Sequence, residues 1–335
     1  MASESLLQFQ RIMQDLRAKR FAPVYLLYGE ETYFIDEICD FIEKDVLQEQ
    51  EKGFNQSVFY ARDTDIPAVL QNARRFPMMA DKQVLIVKEA QAYKSLEGFE
   101  NYFEKPVQTT ILVICIKGKK IDRRTKLYKN ASSHVVFESR RLFDNELPGW
   151  ISAYLKSKGY TINARSSALI ADALGADLSK ISNELEKLFI NKKGDTQISE
   201  KDIEDHIGIS KEFNNFELLS AIASKNTPRA FYISYHLSRS KSFSIIPFLA
   251  QLNNMLSRAY ILKQTNTRDK KTIMAGFGLN SFQAEDHVNL VSNFSTSDIE
   301  KSIALASEYD LKSKGINSAT NDNAELIKEL LVKML

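Results

Sequence analysis

Short apolar runs recur through the first 140 residues of the chain, and segments with helical spacing of apolar residues lie between them. The runs occupy residues 24–28, 58–60, 84–87, 111–116 and 135–137. Apolar residues follow one another in these runs instead of alternating with polar ones, which is typical of strands buried on both faces of a sheet. Strands that alternate with helices predict a mostly parallel sheet covered by helices, and therefore an α/β domain over residues 1–140.

Beyond residue 139 the strand pattern stops, and every strong signal is helical. Asp177 is the expected N-cap of one helix, and Ser199 and Asp202 have the spacing of a capping box at the start of another. A chain of 335 residues is long enough for two or three domains. We therefore predict a small helical domain over residues 141–210 and an all-α domain over residues 211–335.

The charge balance excludes a chain that is drawn to nucleic acid by its overall field. Lys and Arg number 45 against 43 Asp and Glu, which leaves a formal charge of +2. Any contact with DNA must then come from a local basic patch or from partner subunits. One such patch spans residues 117–129, where a single acidic residue accompanies seven basic ones: Lys117, Lys119, Lys120, Arg123, Arg124, Lys126 and Lys129.

This basic segment has two interpretations that the residues alone leave open. It is either a solvated helix face beside a loop, or a set of phosphate contacts with DNA. Contacts of the second kind depend on salt and are insensitive to base sequence. A free-standing DNA-binding module is accordingly one hypothesis for the function of the chain.

Cysteine usage and the N-terminal pattern point to a reducing compartment. Cys39 and Cys115 lie in apolar surroundings, and with four scattered histidines they cannot form a four-cysteine zinc module. We expect two buried thiols, no metal and no cofactor. The first residues lack the basic start and apolar core of a signal peptide, and no apolar run is long enough to span a membrane. The expected location is the cytoplasm, without membrane contact.

The end of the first strand is the place where an α/β protein would carry a phosphate-binding loop. Such a loop needs two glycines and a Gly-Lys-Ser/Thr ending, so that amides, an ammonium and a hydroxyl meet the phosphates and their magnesium. Here only Gly29 is present, and the two acidic residues that follow, Glu30 and Glu31, would repel phosphate. We predict a degenerate nucleotide loop at Gly29 that serves to end the strand, and no ATP hydrolysis. An α/β enzyme with an atypical nucleotide site is the remaining enzyme hypothesis, since no nucleophile elbow or zinc-protease motif is present.

Two adjacent methionines, Met78 and Met79, follow Pro77 at a predicted turn between a helix and a strand. Pro77 is expected to stop the helix that begins near residue 67, because proline cannot continue the hydrogen-bond ladder. Neighbouring residues on one turn do not easily reach the same core, so at least one methionine is expected to be exposed. The alternative is that both fill irregular gaps in the core, as methionine often does.

Four short stretches, in this order and spacing, resemble the delta subunits of bacterial DNA polymerase III clamp loaders. They are Leu27-Tyr28-Gly29-Glu30-Glu31, then Phe76-Pro77-Met78-Met79 before residues 82–87, then the Leu178, Ile181, Asn183, Glu184, Leu185, Lys187 and Leu188 pattern, and finally Asp310, Lys312 and Gly315. The resemblance implies a RecA/AAA+-like sheet domain, a small helical lid and an all-α collar that serves assembly. These are the same three pieces, in the same order, as the pattern of the residues predicts.

The resemblance also implies a function without catalysis by this chain. Such a subunit of the DNA polymerase III holoenzyme, a nucleotidyltransferase complex, binds the sliding clamp (beta) and opens it for loading onto primed DNA during replication. It acts in a hetero-oligomer with ATP-hydrolysing subunits and a delta-prime subunit, which commonly carry the zinc cysteines that are missing here. Met78 and Met79 fall on the pair of hydrophobic residues that contacts the clamp in the family, although a leucine and an aromatic residue are common at those positions.

Overall fold

Five parallel strands form the predicted sheet, in the spatial order β2-β3-β4-β1-β5. The strands are β1 (Val24–Gly29), β2 (Gln56–Tyr60), β3 (Gln83–Lys88), β4 (Thr110–Lys117) and β5 (Val135–Ser139). Each contains one of the five apolar runs, so the prediction of the strands is confirmed. At the carboxyl edge of the sheet, Gly29 pairs with Lys117 on one side and with Ser139 on the other.

The computed structural model describes residues 4–192, 196–207, 213–239, 243–317, 320 and 322–335. The chain divides into two compact units, Met1–Leu142 and Phe143–Leu335. The first unit is the α/β part, and the second is almost entirely helical. The predicted boundary between a lid and a collar near residue 210 lies outside the described residues, so that the three-domain division stays a prediction.

Helices cover both faces of the sheet in the first unit. They are α1 (Glu4–Arg17), α2 (Thr32–Asp45), α3 (Glu49–Asn55), α4 (Ile66–Ala73), α5 (Glu100–Glu104) and α6 (Lys126–Ala131). One core cluster joins one face of strands β1, β3 and β4 to apolar side chains of α4, α5 and α6, among them Val69, Phe103 and Leu127. Helix α2 packs against β1, β3, β4 and β5, and α1 packs against α2 and β5. The unbroken apolar runs are therefore explained by burial on two faces.

The second unit contains eleven helices in its described residues. They are α7 (Leu147–Ser157), α8 (Ala164–Leu174), α9 (Leu178–Asn191), α10 (Glu200–Ile207), α11 (Asn215–Ala223), α12 (Thr227–Ser238), α13 (Ile245–Gln264), α14 (Lys270–Phe277), α15 (Ser281–Asn293), α16 (Thr296–Ser313) and α17 (Asn323–Met334). The predicted caps are confirmed: Asp177 accepts a hydrogen bond from the Lys180 amide at 2.9 Å, and Asp202 accepts one from the Ser199 amide at 2.7 Å.

The prediction that strands end near residue 139 is wrong in one detail. Two-residue strands β6 (Thr161–Ile162) and β7 (Gln197–Ile198) pair in parallel within the second unit. Each strand consists of one polar residue followed by one apolar residue, which is too short a run to produce a strand pattern in the sequence.

Cys39 and Cys115 are free and buried, as predicted. A hydrogen bond between the two thiols, together with burial, raises the pKa of Cys115. Within the described residues, no group of three or more His, Cys, Asp or Glu is arranged to hold a metal ion. None of the helices described here combines the length and the apolar character that crossing a bilayer demands.

Candidate functional site

An exposed apolar turn connects α4 to β3. In this segment Phe76 is 80% exposed, Met78 60% and Met79 102%. We call residues 76–79 the apolar turn. Both methionines are therefore outside the core, so the core-filling alternative is wrong. Contiguous exposed apolar side chains are typical of interaction sites on soluble proteins.

Helix α4 ends before Pro77, and this corrects the predicted helix stop. The helix ends at Ala73, with Arg74 as its C-cap residue. The Gln83 side-chain amide, at the start of β3, donates to the Arg75 carbonyl at 2.6 Å and to the Asn72 carbonyl at 3.3 Å. The Asn72 carbonyl also accepts from the Arg75 amide at 3.0 Å, so the Gln83 side chain adds a bond there and supplies a donor to the Arg75 carbonyl. The chain has thus left the helix four residues before the proline.

The backbone of Met78 is fixed by a buried asparagine. The Met78 amide donates to Asn55 Oδ1 at 2.6 Å, and Asn55 Nδ2 donates to the Met78 carbonyl at 2.9 Å. Asn55 is the last residue of α3 and is only 3% exposed. The next residue, Met79, has a φ of +54°. A side chain in this left-handed region costs about 1–2 kcal/mol, so the surrounding bonds must hold the turn in place.

At the end of β1, Gly29 is pressed against the neighbouring strand. Its φ is +140°, and a Cβ atom at this position would lie 2.0 Å from the Ser139 carbonyl oxygen. The Gly29 carbonyl accepts a hydrogen bond from the Gly118 amide at 2.7 Å. The Glu31 amide donates to the Ser139 carbonyl at 3.2 Å, and the Ser139 hydroxyl donates to the Glu31 carbonyl at 2.5 Å. The turn after β1 is thus bound to Ser139 of β5 through both the amide and the carbonyl group of Glu31.

The N-terminus of α2 already holds a carboxylate. Glu31 is 8% exposed, and its Oε1 accepts a hydrogen bond from the Tyr33 amide at 3.0 Å. A helix N-terminus at the end of a first strand is the usual place for a phosphate, because amide groups and the helix dipole favour negative charge there. In this chain the protein's own side chain supplies that charge. The arrangement therefore favours a closed turn over a nucleotide site.

The basic segment lies at the same carboxyl edge of the sheet, between β4 and α6, and its side chains have local partners. Ion pairs join Lys117 to Asp36 at 2.6 Å and Lys120 to Glu30 at 3.4 Å. Arg123 pairs with Glu138 at 2.6 Å, Arg124 pairs with Asp122 at 2.8 Å, and Lys119 Nζ donates to the Gln91 carbonyl at 2.8 Å. Hydrogen bonds from Arg124 lower the pKa of Asp122 to about 2. The sequence showed the excess of positive charge in this segment but not the carboxylates that come from α2 and β5.

Comparison with known proteins decides between the hypotheses. Residues 25–139 match the family model described as DNA polymerase III, delta subunit. Over these residues the chain is similar to the DNA polymerase III delta-subunit family. It is 24% identical to the DNA polymerase III subunit delta of Bacillus subtilis (strain 168), in an alignment that covers 97% of this chain and 96% of that protein. The family match does not favour an independent nucleotide enzyme or a free-standing DNA-binding module.

A solved structure shows the same fold along the chain. The Bacillus subtilis DNA clamp loader delta protein superimposes with a TM-score of 0.61 at 23% identity, over 97% of this chain and 99% of that one. The expected architecture of a delta-family protein, a parallel sheet unit followed by a helical region, is confirmed.

The structural roles of three residues in this chain were not predicted from the sequence. Asn55 and Gln83 hold the apolar turn through hydrogen bonds to backbone groups 23 and 8 residues away, and no local pattern signals such bonds. Glu31 was recognised only as a charge that repels phosphate. Its position just before α2 was visible in the sequence, but glutamate is not among the preferred N-cap residues.

Proposed function

We propose that this delta-family subunit binds the sliding clamp (beta) through Met78 and Met79 and opens the ring for loading onto primed DNA. The observation that carries the proposal is the apolar turn, which presents two methionine side chains on a backbone fixed by Asn55 and Gln83. Burying such side chains in an apolar pocket of a partner is worth roughly 1.5–3 kcal/mol each. The name of the Bacillus relative, a clamp loader delta protein, supports the same function.

The subunit acts without hydrolysing ATP. The support is the closed end of β1, where Gly29 contacts Ser139 and the Glu31 carboxylate occupies the start of α2. Energy from ATP is therefore assigned to other subunits of the loader.

The partners of the subunit are ATP-hydrolysing clamp-loader subunits and a delta-prime subunit, in a cytoplasmic hetero-oligomer. We assign assembly to residues 211–335. In the described part of this region a core cluster of its own joins α11, α13, α15, α16 and α17. Large apolar side chains also remain exposed on its surface, including Ile261, Leu311 and Val332. Such side chains suit packing against similar helical domains.

Contact with the phosphates of primed DNA is assigned to Lys117, Lys119, Lys120, Arg123 and Arg124. Four of these side chains pair with carboxylates on the protein. Exposed ion pairs are worth only about 0–1 kcal/mol, so a DNA phosphate can replace the carboxylate at little cost. Lys119 and Lys120 also line a cavity of about 450 Å³, in which Lys94 and Lys126 accompany Glu97 and Glu100.

The purified full-length chain, without nucleotide, is expected to co-elute with a bacterial sliding clamp on gel filtration. The same preparation should release no phosphate from ATP, with or without primed DNA, because the turn at Gly29 lacks the Gly-Lys-Ser/Thr ending of a phosphate-binding loop. Phosphate release and gel filtration on one sample provide the two readouts. Separate elution of chain and clamp at micromolar concentrations would contradict clamp binding. ATP turnover that is lost when residues next to Gly29 are changed would contradict the absence of hydrolysis.

A further inference from the structure

We propose that Asn55 is a positioning residue for clamp binding: its side-chain amide holds the apolar turn in the bound conformation before the clamp arrives. This inference rests on the proposed function of Met78 and Met79. Asn55 itself is buried, with 3% of its surface exposed, and does not belong to the contact surface. It would act only through the backbone of Met78.

Both the oxygen and the nitrogen of the Asn55 side-chain amide form hydrogen bonds to backbone groups. Oδ1 accepts from the Met78 amide at 2.6 Å, while Nδ2 donates to the Met78 carbonyl at 2.9 Å and to the Glu51 carbonyl at 3.1 Å. Because both polar groups of Met78 bond to one side chain, the peptide planes on either side of Met78 are fixed together. The third bond fixes the Asn55 side chain against α3, so the position of the turn is set by that helix.

A second side chain holds the turn at its other end. Gln83 Nε2 donates to the Arg75 carbonyl at 2.6 Å and to Thr110 Oγ1 at 2.7 Å. Between the two anchored residues lie only Phe76 and Pro77, and the ring of Pro77 fixes its own φ. Met79, the residue after Met78, has a left-handed backbone conformation. The exposed methionine side chains are therefore carried by a backbone with little freedom, although the side chains themselves lie in solvent.

A preformed turn lowers the entropy that binding must remove. Ordering a flexible segment on association costs affinity, and rigid presentation of the contact residues avoids that cost. Without Asn55 the Met78 amide and carbonyl can bond to water, so the fold should persist while the turn samples other conformations. We expect Asn55→Ala to weaken clamp binding about tenfold, which corresponds to about 1.4 kcal/mol.

The test compares full-length variants by calorimetry or surface plasmon resonance against a bacterial sliding clamp. Asn72→Ala is the matched control, because the Asn72 side chain, in α4, donates to the Ala68 carbonyl and accepts from the Arg75 guanidinium but does not bond to Met78. A third arm combines Asn55→Ala with Met79→Ser. If Asn55 acts through the turn, the double variant loses less affinity than the product of the fold-losses of the two single variants. Two independent effects would give a fold-loss equal to that product. Hydrogen exchange of the peptide that contains Met78 reports the loosening directly.

The proposal is supported if Asn55→Ala binds about tenfold more weakly, Asn72→Ala binds as the wild type does, and exchange at Met78 becomes faster. It is overturned if Asn55→Ala keeps full affinity while Met78→Ser with Met79→Ser loses it, a result that leaves the proposed function standing. Full affinity in that double variant would refute the proposed function and this inference together. If Asn55→Ala does not fold, Gln83→Met loosens the turn from its other end. Full affinity in that variant would then overturn the claim.

Discussion

Replacing both Met78 and Met79 by serine is expected to weaken clamp binding by about two to four decades. The loss of two buried apolar side chains costs roughly 1.5–3 kcal/mol each, and each decade of affinity corresponds to about 1.4 kcal/mol. Titration calorimetry with a purified sliding clamp, at one fixed salt concentration, measures the change. Both side chains are largely exposed in the free chain, so the thermal unfolding of the variant should match the wild type.

Leu7→Ser is the control for this prediction. Leu7 lies on α1 in the same unit, is 52% exposed, and is remote in sequence from the apolar turn. Removing an exposed apolar side chain there should leave the affinity for the clamp unchanged. Equal affinities of the wild type and the double methionine variant for the clamp would show that the apolar turn does not contact the clamp.

The second large effect concerns stability. Gly29→Ala is expected to lower the free energy of unfolding by about 3–5 kcal/mol, at the upper end of single substitutions. The φ of +140° is unfavourable for alanine, and the added Cβ would lie 2.0 Å from the Ser139 carbonyl oxygen, 2.7 Å from its carbon and 2.8 Å from its nitrogen. All three atoms belong to the backbone of β5. They cannot move aside without separating β1 from β5.

Urea unfolding followed by circular dichroism measures this loss, and Gly53→Ala provides the control. Gly53 lies in α3, and a Cβ added there meets nothing within 4 Å. Alanine in a helix is favoured over glycine by roughly 0.5–1 kcal/mol, so this control should be neutral or more stable than the wild type. A Gly29→Ala chain that unfolds at the wild-type urea concentration would contradict the close packing at the end of β1.

The strands of the sheet were predictable because each is buried on both faces and therefore leaves an unbroken apolar run. The order of the strands was not, since β1 lies between β4 and β5 through contacts that no local pattern records. Helix caps such as Asp177 were predictable, because the capping bond joins residues three apart. The resemblance supplied the family and the methionine pair. The match of residues 25–139 to the delta-subunit model agrees with the former, while the role of the pair stays a prediction.

What the sequence could not supply lies in bonds between distant residues. The prediction that Pro77 stops α4 was wrong, because α4 ends at Ala73, where the Gln83 side chain of β3 donates to the carbonyls of Asn72 and Arg75. The positive charge of residues 117–124 was visible, but its partners Asp36 and Glu138 come from α2 and β5. The same limit hid Asn55, whose bonds to Met78 cross 23 residues.

The lifetime of a sliding clamp on nicked circular DNA tests the central claim most directly, namely that this subunit opens the clamp without ATP. The full-length chain is added without nucleotide, and the clamp that remains on DNA is measured over time. The lifetime should fall sharply with the wild-type chain and with Leu7→Ser, and should stay at its unassisted value with the double methionine variant. A lifetime that the wild-type chain leaves unchanged at saturating concentration, or shortens only when ATP is present, would contradict the proposed function.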